Sequence, residues 1–114
     1  VSYMEKLLKC SVCGFVTEES KLGDKCPKCG AAREKFDVLS DEAADKIINS
    51  DRTNDIHMDI INLCMAIEEL ADEGEELDLD PPCVDIFKKA QDMAWQLKQM
   101  CKAEIAGHVG KGKW

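Results

Sequence analysis

The sequence predicts an α+β chain in two parts: a small metal-bound knuckle domain over residues 1–39, then an α-helical domain over residues 40–110, with residues 111–114 as a flexible tail. Three observations carry this prediction. Four of the seven cysteines fall into two C-x-x-C pairs before Ala31. The composition changes near Ser40, from rich in Cys, Gly and Lys to poor in Gly. Beyond that point apolar residues recur in alternating steps of three and four, the period of one helix face.

The first part reads Cys10-Ser11-Val12-Cys13, a twelve-residue spacer that begins Gly14-Phe15, then Cys26-Pro27-Lys28-Cys29-Gly30. A C-x-x-C pair closes a tight turn that lets both sulfurs reach one ion at about 2.3 Å, and two such turns face to face complete a tetrahedron of thiolates. A glycine after each pair can take positive φ and aim backbone N–H groups at sulfur. Cys10, Cys13, Cys26 and Cys29 are therefore the candidate metal ligands. Such a site is closed, so no catalysis at the metal is expected and the chain is not expected to be an enzyme in its own right. Spacing leaves iron and zinc both open. Seven cysteines is an odd number, and no apolar leader precedes the pairs, so thiols in a reducing cytoplasm are expected rather than a disulfide framework. The apolar runs are short, and no membrane span is expected.

Cys10–Phe15 and the stretch Cys26–Phe36, C-P-K-C-G-A-A-R-E-K-F, resemble the short rubredoxin domain of rubrerythrins over roughly residues 8–39. The aromatic after the first knuckle, the Gly after each pair, Pro27 inside the second and Phe36 seven residues beyond Cys29 carry the likeness. The resemblance implies a rubredoxin-like fold holding one iron in four thiolates and passing single electrons to oxidoreductase partners. It also implies that Phe15 and Phe36 are core aromatics beside the centre. Full-length rubredoxins have a longer, more aromatic spacer, and a plain zinc ribbon shares both cysteine pairs. A structural zinc-ribbon interaction module thus stands as an alternative, as does an electron-transfer subunit of a larger redox enzyme.

Ser40, followed by Asp41 and Glu42, predicts a helix start, with the hydroxyl on an orphan N–H and the acids at the positive dipole end. This short helix is expected over 41–48, broken by Asn49-Ser50-Asp51-Arg52-Thr53-Asn54. Ile56, Ile60, Leu63, Ile67 and Leu70 then form the buried stripe of a long helix, widened by His57, Ile61, Cys64 and Ala71, with Gly74 and the acids after it as the end. Asp80 caps the next helix with Pro81 in its first turn. In that helix Phe87, Ala90, Ala94, Leu97 and Cys101 repeat the step, and Gly107 and Gly110 close it. The short loop implies an antiparallel hairpin. One hairpin cannot bury two wide apolar faces, so a homodimer through helices 55–73 and 81–106, as a four-helix bundle, is expected.

Several readings concern single residues. No Glu is followed by His at the third position, so the inward Glu-x-x-His motif of a di-iron bundle is absent, and Glu104 and His108 are four apart. Rubrerythrin-type peroxidase activity is thus not implied. His57 reads as a satisfied boundary residue and His108 as a cation at a helix C-terminus. Cys64 and Cys101 read as buried thiols about ten residues out of register, ~15 Å apart at helical rise. Cys83, near a helix start, is the thiol whose surroundings could lower its pKa. Met93, Met100 and Trp95 are expected at the hairpin or dimer interface. A net charge of −8 excludes nucleic acid as a main partner and suits a basic docking partner.

Overall fold

A computed structural model describes residues 5–114. Three short strands, β1 (Leu7–Cys10), β2 (Val16–Glu18) and β3 (Phe36–Val38), are followed by two long helices, α1 (Asp41–Leu77) and α2 (Pro81–Gly110). The chain divides into two compact units at Asn49 and Ser50.

In the first unit β1 lies between its two neighbours, antiparallel to both, in the order β2-β1-β3. Leu8 sits opposite Thr17 on one side and Val38 on the other, and Cys10 sits opposite Phe36. The apolar core is small: Leu7, Leu8 and Leu22 are buried, together with Cys10 and Cys26. Two single 3₁₀ turns, Glu19–Lys21 and Arg33–Lys35, carry the chain around this core.

The helical part departs from the expected layout in that the short helix and the first long helix are one. Residues 49–54 remain helical inside the 37-residue α1. The stretch contains no Gly or Pro, and its Asn, Ser, Asp and Thr residues are only a few tenths of a kcal/mol each below the better helix formers. A break would need their side chains to compete for local backbone. Instead Ser50 Oγ and Asn54 Nδ2 donate to the Lys113 carbonyl at 2.6 and 2.9 Å. The residues after Gly110, expected to fray, thus form a turn whose last carbonyl is held. Ser40 does cap α1, its Oγ accepting from Ala43 N–H at 3.1 Å.

Gly74 does not end α1; it is buried inside it. A Cβ there would lie 2.5 Å from the Phe87 ring, so glycine lets the two helices close on that ring. The helix ends instead at Leu77, where Asp78 takes φ 45°. Asp80 Oδ1 then accepts from Cys83 N–H at 3.1 Å, with Pro81 in the first turn of α2.

The hairpin register follows from three contacts. His57 and His108 rings meet edge to face with centroids 6.3 Å apart, Glu68 and Lys98 form an ion pair at 2.9 Å, and Gln91 Nε2 donates to Asp72 Oδ1 at 2.9 Å. Each step forward along α1 therefore matches a step back along α2. Cys64 lies two turns after His57 and Cys101 two turns before His108, so the two thiols share one level of the hairpin rather than sitting ten residues apart. Ala71 and Ala94 share the next level, and all four are buried.

The seam is thus built from small residues: Ala94 and Cys101 of α2 lie inside as expected, whereas Leu63, Ile67 and Leu70 of the α1 stripe lie outside. Leu63, Ile67, Leu70, Met93, Met100 and Trp95 are exposed in the single chain. Two helices that close on Cys, Ala and Gly approach tightly, and they can bury only one flank each. No described helix is long and apolar enough to cross a membrane.

Candidate metal centre

Each C-x-x-C pair closes by the same pair of backbone hydrogen bonds. Cys10 N–H donates to Phe15 O at 2.8 Å while Gly14 N–H donates to Cys10 O at 3.0 Å. Sixteen residues on, Cys26 N–H donates to Ala31 O at 2.7 Å and Gly30 N–H to Cys26 O at 2.9 Å. Both turns need a left-handed residue after the second cysteine, and Gly14 and Gly30 take φ 84° and 79°. L side chains are strained there, so the glycines fix the knuckle shape. The first knuckle leaves the end of β1, and Ser11 N–H donates to Lys35 O at 3.1 Å, which holds it against the chain entering β3.

The structure brings the four thiols into one cluster. The Sγ atoms of Cys10 and Cys29 are 3.7 Å apart, those of Cys13 and Cys26 3.6 Å apart, and all four lie within 4.8 Å of one another. Four thiolates at the metal–sulfur distance of about 2.3 Å form a tetrahedron with edges of ~3.8 Å. The pairs span the two knuckles rather than lying within them, so the cluster encloses a point between the turns. This is a four-cysteine metal site with a sulfur donor set that suits iron or zinc. Among the described residues it is the one group of Cys, His, Asp and Glu gathered closely enough to hold an ion.

The protein prepares these sulfurs to carry charge. The N–H groups of Cys13 and Val12 hold the Cys10 thiol below its usual range against the opposing effect of burial. Burial pushes Cys26 up, but N–H groups of Cys29 and Lys28, with help from neighbouring thiols, bring it down to about 7. The Ala31 N–H lowers Cys29, yet burial and its three sulfur neighbours outweigh it and push that thiol up to about 12. The first thiolates form readily and the last is opposed by those already present. A bound cation removes that opposition, which is the electrostatic signature of a site built for one.

Cys10 and Cys26 are buried, Cys13 is half-buried and Cys29 is exposed. The cluster therefore has an inner side against the strands and an outer side at the second knuckle. Phe15 and Phe36 are half-buried rather than fully enclosed. The sequence reading missed Arg33. Its guanidinium donates to the carbonyls of Leu22, Gly23 and Glu19, and its own N–H donates to Asp24 O at 2.9 Å. It ties down the spacer just before Cys26. The signal available was a lone arginine in an otherwise small-residue stretch after the second pair.

The other singled-out residues are not members of the cluster. His108 lies in the last turn of α2, as expected, and its Nδ1–H donates to Asn54 Oδ1 at 2.5 Å, which packs it against α1. His57 sits at the seam boundary, and its buried Nδ1 finds no hydrogen-bond partner. Cys83 is displaced in the direction opposite to expectation. A hydrogen bond to Asp80 comes first, with burial and the carboxylate charge adding to it, and together they raise the thiol pKa. The helix start is there, but the Asp80 carboxylate that caps it also accepts from the thiol and opposes its ionisation.

Residues 9–37 match the family described as rubrerythrin, rubredoxin-like domain. A reverse rubrerythrin-1 from Clostridium acetobutylicum is 43% identical over 37 residues, covering 32% of this chain and 20% of that protein. The chain thus spans only about a fifth of that relative's length. No solved structure matches the chain. The amino-terminal unit is a rubredoxin-like metal-binding domain of the rubrerythrin type, and a helical hairpin follows it.

Proposed function

We propose that this chain is an electron carrier of the cytoplasm, holding one iron between Cys10, Cys13, Cys26 and Cys29 and moving single electrons between larger oxidoreductases. The observation that carries the reading is the closed, preformed sulfur tetrahedron with one face at the surface. Four thiolates leave no open position for substrate, so the site suits electron exchange rather than bond-making. Iron bound there would supply a one-electron couple whose two states both accept tetrahedral sulfur.

The chain's own residues supply the rest. Backbone N–H groups of both knuckles point at sulfur, spread negative charge and tune the potential. The glycine turns and Arg33 keep the ligands from moving as charge changes, so little rearrangement accompanies each transfer. Exposed Cys29 gives a short route from the cluster to a docked partner, while buried Cys10 and Cys26 keep water from the inner side. Zinc in the same site would make the domain a structural ribbon, with the helices as an interaction module.

Visible absorption separates the two. Protein produced in its native host, or reconstituted with iron, should be coloured when oxidised and bleach on uptake of one electron per chain. A protein that stays colourless after iron reconstitution overturns the proposal in favour of the zinc ribbon. Co-purification with a single large oxidoreductase in fixed ratio would make the chain a subunit rather than a free shuttle.

A further inference from the structure

Each level of the hairpin seam is preceded in sequence by a large apolar residue. Ile56 precedes His57, Leu63 precedes Cys64 and Leu70 precedes Ala71 on α1; Met93 precedes Ala94 and Met100 precedes Cys101 on α2. One residue is a 100° turn around a helix, so these side chains stand to one side of the seam. In an antiparallel pair the same offset on both helices points to the same side of the hairpin. That side is open: Leu63, Leu70, Met93 and Met100 are 63%, 66%, 69% and 66% exposed, and Ile86 adds 62%. The opposite flank is mixed, with Met65 and Trp95 beside Asp72 and Lys102.

We infer that this face is covered by a second copy of the chain, the two hairpins forming an antiparallel four-helix bundle. The stripes repeat every seven residues, at 56, 63 and 70 and at 86, 93 and 100, the spacing that side chains interlocking across a bundle require. A bundle needs four such stripes, and one chain supplies two. Ile60, Ile67, Ala90 and Leu97 fill the intervening turns, and no charge interrupts the face between Ile56 and Leu70 or between Ile86 and Met100. With eight large side chains each showing on the order of 100 Å², the face measures roughly 800 Å², one partner's share of a standard interface. That exceeds the few hundred Å² of apolar patch usual on a monomer.

Charge selects the second copy's orientation. The hairpin tip carries eight carboxylates between Glu68 and Asp80, and no Lys or Arg occurs from Thr53 to Phe87. Two tips side by side would repel. The open end is balanced, with Arg52, Lys102, Lys111 and Lys113 against Asp51, Asp55, Asp59 and Glu104, so it does not repel an acidic tip as a second tip would. With the copies antiparallel, the acidic tip of each lies beside the open end of the other.

The test uses the full metal-loaded chain. Sedimentation or light scattering at tens of micromolar should give the mass of two chains. Leu63→Glu with Met100→Glu should reduce it to one chain while far-UV circular dichroism keeps its helical signal, because both side chains already face outward in the single hairpin. A zero-length carbodiimide should join Glu76 or Asp78 to Lys111, a pair that lies roughly 33 Å apart along one hairpin and is reachable only between copies. Wild-type protein sedimenting as one chain, or a double variant that stays dimeric, overturns the inference. A dimer without that cross-link overturns the antiparallel arrangement. None of these readouts depends on which metal is bound.

Discussion

The knuckle unit and the helical hairpin hold their shapes by different means. In the first, a handful of buried leucines would be a poor core, and the organising centre is four sulfur atoms placed by hydrogen bonds that close within five residues. In the second no single atom is decisive, and the structure rests on which of several adjacent stripes meets the other helix. Local closure makes the first unit readable from a short sequence window. Tertiary choice makes the second depend on residues some forty positions away. The contrast also predicts where each unit is fragile: the first to loss of one ligand, the second to changes in fit along the seam.

The sharpest way to break this comparison is to remove the metal. A structural tetrahedral site contributes on the order of 10 kcal/mol or more to folding in small domains, far above what three buried leucines provide. A strong chelator, or Cys10→Ser, should therefore unfold residues 5–39 while α2 stays helical. Amide hydrogen exchange resolves the two: protection should vanish at Leu7–Cys10 and persist around Ala94. Retained protection of β1 after complete metal loss would mean that the strands fold without the sulfur centre.

In the hairpin the expected effects are smaller and come from fit. Asn54 both donates to the Lys113 carbonyl and accepts from His108. Asn54→Ala leaves the half-buried His108 Nδ1–H without its acceptor and the Lys113 carbonyl with the Ser50 hydroxyl alone, and should cost roughly 1–3 kcal/mol, read as an earlier thermal transition of the helical signal. Gly74→Ala should also destabilise, by about 1–2 kcal/mol, because the added methyl meets the Phe87 ring and the overlap outweighs the ~1 kcal/mol helix preference of Ala. The same substitution made together with Phe87→Leu should lose most of that penalty. Equal penalties with and without the Phe87 ring would show that close approach is not what Gly74 provides.

These expectations explain which parts of the molecule were legible in the sequence. Cys10-x-x-Cys13-Gly14 and Cys26-x-x-Cys29-Gly30 could be read because each turn dictates its own residue types. Asp80 and Pro81 marked a helix start for the same reason. Ser50 and Asn54 were misread as a break because polar residues that can cap locally can also reach a distant carbonyl, and nothing nearby tells which they do. On α2 the expected stripe lies where it was placed, at Ala94 and Cys101, whereas on α1 its centre was misplaced by one residue position, from Leu63 and Leu70 to Cys64 and Ala71. Large side chains carry the stronger periodic signal, whereas the helices closed on the smaller neighbours Cys64, Ala71, Ala94 and Cys101. The outward turn of the large stripe is itself informative, since it leaves a face that a second chain can use.

Cys83 offers the smallest and most specific contrast between a rule and its local exception. A thiol in the first turn of a helix is expected to ionise easily, as the N-terminal end of the dipole favours a thiolate. Here Asp80 occupies that end: its carboxylate accepts the Cys83 backbone N–H and also faces the thiol, so ionising the thiol would place two negative charges together. A raised pKa means less thiolate at any pH below it, hence slow alkylation at pH 8 relative to an ordinary exposed cysteine. Asp80→Asn keeps an N-cap oxygen of similar strength and removes the charge. The helix should start at the same residue while alkylation of Cys83, followed by peptide mass in the metal-loaded protein, becomes several-fold faster. The gain should fade as pH rises past the thiol's own pKa, where both forms are ionised. An unchanged rate would mean that enclosure of the thiol, and not the capping carboxylate, keeps Cys83 protonated.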